Sequence, residues 1–526
     1  MDRKDPGRPC HACRTLVVRA TIVLAALTLC VSFLVAPDAH AAWSDDPYVN
    51  TLVTGIGTPC RPQVINSGSG FIVIWRNDNA PLGIYAQRYN SQGDPTWGEG
   101  VTITTWDAWQ NEMVPDGQGG AVVEWTSDDG IYAQRIDRDG NLQWGEDGVL
   151  VLEGEEDGWI APDGEGGAYI MSIDGHVQRV TADGRLAWED PVFYPVLESE
   201  VWSAPKIASD GEGGAILVWI EGWGNNLAVQ RIDSDGNLLW NGGLPVYLGE
   251  DAYCPRLVTA SDGGAVVIWV STDNSTIFAQ KVGLDGEPLW NGGDGLVLDA
   301  SMGWINGAFI DLASDEEGGA FVTWYDWPDG MNGSGFAQHV DASGVKTWGS
   351  PVMFTSLDGF REVSQHPRKT VEDGRGGFIA AWEGPDECIM AQRVDKHGTL
   401  LWGDGGVVVS YGESIEYGPR LASGGPGIPG GAIAVWVDPR VTVKAPDSQN
   451  VYMQNINADG SLGVLPGEEE EDSYEGVSSK GDDDDRIMGV KCFIESASPG
   501  SHAPAVLSAV LLLSALIGVS LRRKPD

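Results

Sequence analysis

One repeated phrase constrains the fold of this chain more than any other feature. A glycine pair runs into an apolar stretch, and a glutamine and a tight turn follow. The phrase occurs eight times, with its glutamine at Gln87, Gln134, Gln178, Gln230, Gln280, Gln338, Gln392 and Gln454. Successive glutamines are 47, 44, 52, 50, 58, 54 and 62 residues apart. Periods of this length are typical of solenoids, propellers and arrays, so most of the chain is one repeat body.

The second copy shows best what each repeat contains. Its apolar runs, residues 121–125 and 131–136, are short, rich in Val, Ile, Tyr and Trp, and bounded by Gly, Asp and Asn. Such runs predict about four antiparallel strands per period. No helical pattern interrupts residues 45–465. We therefore predict that residues 45–465 form an all-β, eight-bladed β-propeller of four-stranded antiparallel blades.

Fourteen of the 22 tryptophans recur at two positions of the repeat. The first series closes the second strand: Trp75, Trp125, Trp219, Trp269, Trp324, Trp382 and Trp436, with Met171 in the third copy. The second series follows a later hairpin: Trp97, Trp144, Trp188, Trp240, Trp290, Trp348 and Trp402. Each ring buries about 150–250 Å², so both series are predicted to wedge between blades. The repeated glutamine is likewise predicted to be structural, its amide bonding to nearby backbone.

The last copy is incomplete. After Gln454 the chain has a turn but neither a tryptophan nor a further strand. Residues 48–54, before the first repeat, resemble the apolar outer strand of the second copy. We predict that this amino-terminal segment completes the eighth blade and removes an exposed sheet edge.

Composition excludes one class of partner. The chain has 32 basic and 76 acidic residues, for a net charge of -44. This charge repels phosphate backbones, so nucleic acid is not an expected partner. Four widely spaced cysteines remain after residue 41, and the histidines are scattered. The spacing of these residues predicts no disulfide framework, no metal site and no cofactor.

Both ends of the chain carry targeting patterns. Residues 1–41 combine basic residues, an apolar run and an Ala-His-Ala cleavage pattern, which predicts a secretory signal peptide. Residues 466–491 form a predicted disordered acidic linker. Residues 503–521 predict a transmembrane helix about 28 Å long. Three basic residues follow this helix and orient it with the propeller outside the membrane.

The carboxy-terminal order of elements resembles the C-terminal sorting tails of bacterial envelope proteins. The resemblance covers residues 492–526 and includes Cys492, Phe493 and Ile494 before the apolar run. It implies recognition by an envelope-sorting protease, with Cys492 as the candidate sorting or processing residue. The protein is then expected at the extracellular face of the cell envelope, either anchored in the membrane or released after processing of the tail.

Aromatic residues outside the two tryptophan series form a candidate binding site. They lie before the first strand of a blade or between its second and third strands, two loop classes that emerge on one face of a propeller. We call them the loop aromatics: Trp109, Trp159, Trp202, Trp223, Tyr253, Trp304, Trp327 and Tyr417. With acidic neighbours they offer a stacking platform for a glycan or surface polymer. The alternative is that these rings plug the inner mouth between blades.

The Asp-Gly hairpin turns permit two interpretations. Asp137 to Asn141 and Asp233 to Asn237 have alternating oxygen ligands that resemble part of a calcium loop, but the distal glutamate is missing. Local turn chemistry explains the same residues. Calcium therefore stays open as a possible ligand of these turns.

The repeats as a whole resemble bacterial extracellular propeller repeats with glycine-glycine-alanine, tryptophan, Ala-Gln-Arg and Asp-Gly elements. This resemblance implies a fold and no particular ligand. The expected function is noncatalytic binding or surface architecture, with a glycan as the candidate ligand. The alternative is a surface glycan-active hydrolase or lyase, for which the sequence singles out no catalytic pair.

Overall fold

The computed structural model describes most of the repeat body. The described residues are 43–54, 56–194, 204–222, 224–300, 304–305, 310–327, 333–357, 369–384, 388–411, 417–424, 428–438 and 449–463. The predicted signal peptide, acidic linker and sorting tail lie outside them, as do Trp202, Trp223 and Cys492. Among the described residues, no helix has both the length and the apolar character that a membrane crossing requires.

The structure confirms the eight-bladed all-β propeller. Eight separate antiparallel sheets follow one another along the chain, each with four strands in order from the axis outward. The second strand of the sixth sheet also pairs with a short extra strand, Trp304–Ile305. The third-to-outer connections of blades 4 and 5 contain 3-10 turns at Asn241–Gly243 and Asn291–Gly293.

The two strands nearest the axis carry the glycine-rich turn of the repeat between them. The inner strands are Pro59–Asn66, Gln110–Pro115, Gly158–Pro162, Lys206–Ser209, Ala252–Thr259, Asp311–Ser314, Lys369–Glu372 and Tyr417–Ser423. The second strands are Gly70–Asn77, Ala121–Ser127, Ala168–Ser172, Ala215–Glu221, Ala265–Ser271, Ala320–Trp327, Phe378–Glu383 and Ala432–Asp438.

The two peripheral strands contain the glutamine and the strand that follows the hairpin tryptophan. The third strands are Gly83–Asn90, Gly130–Ile136, His176–Val180, Asn226–Ile232, Ile277–Val282, Gly333–Val340, Cys388–Val394 and Asn450–Ile456. The outer strands are Val101–Thr104, Val149–Glu153, Val192–Phe193, Val246–Gly249, Leu296–Asp299, Val352–Leu357, Val407–Tyr411 and, for the eighth blade, Thr51–Thr54.

The blades form a closed circle around one axis. Each inner strand contacts the inner strands of the preceding and following blades, and the eighth contacts the first. Each of the eight apolar clusters combines residues of two adjacent blades, as when Ile74 of blade 1 packs with Trp125 of blade 2. A single blade therefore buries its apolar faces only between two neighbours.

The repeated glutamine is structural, as predicted. In blade 2, the Gln134 amide nitrogen donates to the Gly145 carbonyl at 2.7 Å. Its oxygen accepts from the backbone N–H groups of Arg135 at 3.0 Å and Trp144 at 2.9 Å. The Trp144 indole nitrogen then donates to Ala182 O in blade 3 at 3.0 Å. The glutamine thus fixes the turn that delivers a tryptophan to the next blade.

The amino-terminal segment completes the eighth blade, which confirms the predicted closure. Thr51–Thr54 pairs antiparallel with Asn450–Ile456. Trp43, which belongs to neither of the two tryptophan series found in the sequence, lies at this seam: its indole nitrogen donates to Ser91 O of blade 1 at 3.0 Å, and its side chain is 3% exposed. Trp43 is the missing hairpin tryptophan of blade 8, supplied from the other end of the repeat body.

Candidate functional site

One position of the inner strand recurs in all eight blades and lines the axial channel. It lies opposite the residue that precedes the second-strand tryptophan. The sequence analysis placed Met171 at the tryptophan position of blade 3, but this was wrong: Gln178 pairs with Ile170 as Gln134 pairs with Val123, so Ser172 is the equivalent residue. We use the name axial ring for the eight residues at this recurring inner-strand position. They are Gln63, Glu112, Trp159, Lys206, Arg256, Asp311, Lys369 and Arg420.

The axial ring has a charge balance opposite to that of the chain. It contains four basic residues and two acidic ones, whereas the chain has 32 basic and 76 acidic residues. Trp159 shows that the position accepts an uncharged aromatic side chain, since it is 7% exposed there. Packing alone therefore does not require charges at this position, and burying them is costly.

Lys206 shows most clearly that the ring side chains share a confined space. Its side chain is half-buried by accessible area, yet desolvation lowers its pKa to about 7, and Arg256 and Lys369 reinforce the shift. Glu112 opposes it. Three other blades thus act electrostatically on one ammonium group, as expected when side chains converge on an axis.

Arg420 in blade 8, across the axis from Lys206 in blade 4, also shows that the ring side chains share a confined space. Desolvation lowers its pKa, Glu112 and Asp311 oppose this shift, and Arg61 adds to it. One Asp311 oxygen also accepts from the backbone N–H of Thr370 at 2.8 Å. The two acidic members of the ring therefore offset its positive charge only in part.

In three blades a β-bulge precedes the ring residue. The register shifts between Cys60 and Gln63, between Tyr253 and Arg256, and between Tyr417 and Arg420. Cys254 lies in the bulge of blade 5 at a φ of 50°, which is uncommon for a residue with a side chain. Bulges redirect side chains and are frequent beside functional sites. Here they set the direction of the residues that enter the channel.

A buried carboxyl group lies directly behind the ring. Glu124 pairs in register with Glu112, is 0% exposed, and neither of its carboxyl oxygens has a hydrogen-bond partner among the described residues. Desolvation raises the pKa of Glu124 well above its usual range, and Glu112 and Asp157 add to this effect. A β-carbon on Gly158 would approach Glu124 Oε1 to 2.3 Å, so glycine leaves the room that the carboxyl group occupies.

The structure places several of the described loop aromatics within strands and not in loops. Trp159 and Tyr253 lie in the first residues of inner strands, Trp327 ends a second strand, and Trp109 directly precedes an inner strand. Trp109 and Tyr253 are half-buried, and Trp159 is 7% exposed. Trp304 pairs in register with Trp327, which brings the two predicted loop classes to one face. Tyr417 begins the inner strand of blade 8. The structure describes no side-chain surroundings for these last three residues, and Trp202 and Trp223 lie outside its described part.

One loop aromatic, Trp159, is itself the blade 3 member of the axial ring. The Lys206 ammonium nitrogen lies 4.6 Å from the centroid of the Trp159 side-chain ring. This cation–π contact joins the axial-ring residues of blades 3 and 4. For Trp159, the alternative of a ring that plugs the mouth describes the geometry better than an open stacking platform.

The sequence analysis did not find the axial ring. A signal was present, because basic residues directly follow proline at Pro205-Lys206, Pro255-Arg256 and Pro419-Arg420 in a strongly acidic chain. Alignment on the tryptophan position, combined with strand pairing, would have placed these residues at one level.

The hairpin turns follow local turn chemistry. Asp137 Oδ1 accepts from the backbone N–H groups of Asp139 and Asn141, both at 2.9 Å. Within the described ranges, no three His, Cys, Asp or Glu side chains converge as a metal site would need. Calcium binding at these turns stays a prediction.

The fold and the axial channel together define the class of this protein, an eight-bladed β-propeller with a basic axial ring.

No protein-family model matches the chain, and no curated protein matches its sequence. Three solved propeller-containing structures illustrate the level of likeness. Dipeptidyl peptidase 4 of Porphyromonas gingivalis aligns at 10% identity and a TM-score of 0.42, over 79% of this chain and 60% of its own length.

Two further similar structures are those of a polysaccharide lyase and a lectin. The polysaccharide lyase Uly1 aligns at 11% identity and a TM-score of 0.39, over 78% of this chain and 92% of its own. The SapL1 lectin, solved with alpha methyl fucoside, aligns at 11% identity and a TM-score of 0.31, over 59% of this chain and 97% of its own. None of these likenesses assigns a family or an activity to this chain.

Proposed function

We propose that this protein is a noncatalytic binding propeller on the outside of the cell envelope, and that it takes a saccharide at the mouth of its axial channel. One observation carries the proposal: six of the eight axial-ring positions are charged at a site where Trp159 shows that an uncharged aromatic residue fits. Charged groups that packing does not need are best explained by a ligand.

The loop aromatics support a saccharide in particular. Trp109 and Tyr253 are half-buried at the starts of inner strands, three residues ahead of the axial-ring residues Glu112 and Arg256. Aromatic faces next to hydrogen-bonding groups are the usual composition of sugar sites.

The alternative, a glycan-active hydrolase or lyase, has a weaker basis. Hydrolysis of a glycoside uses two carboxyl groups that both reach the substrate. Glu124 is fully buried behind the channel, and Glu112 and Asp311 come from blades 2 and 6, on opposite sides of the ring. Glu112 and Asp311 are therefore the acids to test for catalysis.

The location of the protein is proposed from its terminal sequence patterns. The signal-peptide pattern at residues 1–41 supports export, and the apolar run with its basic end at residues 503–524 supports anchoring. Deletion of residues 503–526 is expected to release the protein into the medium. Unchanged retention in the membrane fraction would contradict the anchor.

Binding and turnover on one set of saccharides test the function. Full-length protein purified in mild detergent is applied to a glycan array, and every bound saccharide is then incubated with it and analysed for products. Saturable binding without products supports the proposal. Products that disappear in Glu112→Gln or Asp311→Asn would replace it with the enzyme alternative.

A further inference from the structure

Positive charge is concentrated in one enclosed place of an otherwise acidic protein. The chain has a net charge of -44, but four of the eight axial-ring residues are basic, and Arg61 lies near enough to lower the pKa of Arg420 further. Like charges that share a confined space repel one another. An anion bound among these basic side chains would offset their mutual repulsion.

The acids of the ring do not neutralise this charge. Glu112 acts on both Lys206 and Arg420, so it is shared between two cations. Asp311 directs one oxygen to the backbone N–H of Thr370. Because four basic residues face two acidic ones, the ring keeps a net positive charge when all six are ionised.

We propose that the axial ring binds a carboxylate or sulfate group, with Lys206, Arg256 and Arg420 as its donors. The molecule that bears this acidic group is inferred from the proposed function, on which this step rests: it is an anionic saccharide. Arginine matches the planar oxygens of a carboxylate with paired donors, and lysine adds a compact charge. The bulges ahead of Arg256 and Arg420 set the direction of these two side chains.

The net negative charge of the chain further restricts the class of ligand that can reach the axial ring. A long polyanion lying across the surface would meet net negative charge in most places. A single acidic group at the end of a saccharide would avoid this repulsion and enter the axis, with neighbouring sugar rings near Trp109 and Tyr253. The ligand class is therefore a saccharide with a terminal uronic acid or sulfated sugar.

A matched pair of ligands tests the proposal on the full-length protein. Methyl β-glucuronide has a carboxylate where methyl β-glucoside has a hydroxymethyl group, and the two are otherwise identical. Inorganic sulfate represents the anion without a sugar. Isothermal titration calorimetry at pH 6.5 is expected to show at least about tenfold tighter binding of the glucuronide, since loss of one charge-assisted contact costs about that factor.

Two variants locate the site. Arg256→Gln combined with Arg420→Gln is expected to weaken glucuronide binding by about a hundredfold, as expected for two charge-assisted contacts. The control, Arg185→Gln, removes a charge whose side chain is 83% exposed and paired with Asp183, and it is expected to bind like wild type. Equal loss in both variants would contradict the axial site.

A measurement on the unaltered protein covers the case in which the double variant does not fold. Because the pKa of Lys206 is lowered to about 7, its amine is expected to be acylated faster at pH 7 than that of an ordinary surface lysine. Sulfate or glucuronide bound in the ring is expected to slow acylation at Lys206 and not at Lys346. Unprotected Lys206 under saturating ligand would overturn the site.

The binding results distinguish the proposed anion site from the proposed saccharide-binding function. Equal binding of both glycosides leaves the binding function standing and overturns the anion site. Saturable sulfate binding that the double variant loses supports the anion site, and if no saccharide on the array binds either, it overturns the saccharide function. Binding of none of the three probes contradicts the anion site directly, whatever neutral saccharides the array detects.

Discussion

The side-chain amide of Gln454 donates a hydrogen bond to the backbone carbonyl of Ser44 at 2.9 Å, although the two residues are 410 positions apart. In blades 2 and 7 the same bond reaches the residue directly after the hairpin tryptophan, as from Gln134 to Gly145. Ser44 follows Trp43, so the amino-terminal segment reproduces this bond as well as the strand. The ring is therefore closed by the same interactions that build its blades.

Truncation of Trp43 is predicted to open this seam. Trp43→Ala removes a buried ring and its bond to Ser91, and a loss of about 3–5 kcal/mol in the free energy of unfolding is expected. Trp43→Phe keeps most of the burial and is expected to lose about 1 kcal/mol. Urea unfolding measures both. A Trp43→Ala variant as stable as wild type would show that the seam adds nothing to the closed ring.

Loss of the repeated glutamine is predicted to destabilise a blade without changing its apolar core. Gln134→Met leaves the Trp144 N–H and the Gly145 carbonyl without their side-chain partner, at a cost of about 1–3 kcal/mol. Gln143→Met is the control, because Gln143 is exposed and bonds only within its own turn. Equal stability of the two variants in urea would contradict the structural role of Gln134.

Glu124→Gln is predicted to stabilise the protein at neutral pH. Desolvation raises the pKa of Glu124 in the folded state, whereas in the unfolded chain it ionises near 4.5. Stability that wild type has below pH 4.5 is therefore lost as the pH rises towards the folded-state pKa. The variant is expected to match wild type near pH 4 and to gain roughly 2 °C in Tm by pH 8.

The control for this variant is Glu146→Gln, at an exposed position. Calorimetric scans across the pH range should show no comparable trend for it. A constant difference in Tm between Glu124→Gln and wild type at every pH would contradict the ionisation argument.

Lys206→Met is predicted to show a different pH dependence. The folded-state pKa of Lys206 is lowered from 10.5 to about 7, so below pH 7 the folded state contains an ammonium group that burial disfavours. Between pH 7 and about 10 the unfolded chain binds the extra proton, and wild-type stability rises. The advantage of Lys206→Met is therefore expected to be largest near pH 6 and to shrink as the pH approaches 10. A growing advantage over that range in thermal scans would refute the assignment.

The periodic part of the fold was predictable because each blade repeats the same strands, packing contacts and hydrogen bonds. Gln134, Trp125 and Trp144 occupy positions whose packing and hydrogen bonds recur around the ring, so repetition identified both their places and their roles. The same logic identified the incomplete last copy and the strand that completes it.

The missed residues are those that the repeat does not determine. Trp43 lay outside the pattern because its glutamine partner is at the opposite end of the chain. The axial ring was missed because its residues differ from blade to blade, from Trp159 to Lys206 to Asp311, and become equivalent only when strand register is known. The sequence named Trp159 as a loop aromatic, but neither its place in the axial ring nor the Lys206 ammonium over its side-chain ring could be read from the sequence.

The most direct test of the account is to locate an anion on the propeller axis. Crystals of the protein soaked in selenate and measured at the selenium absorption edge would show where an oxyanion binds. The account predicts an anomalous peak within hydrogen-bonding distance of Lys206, Arg256 and Arg420, and loss of that peak in the Arg256→Gln, Arg420→Gln double variant. Peaks confined to exposed turns, or an axis without density at saturating selenate, would contradict it.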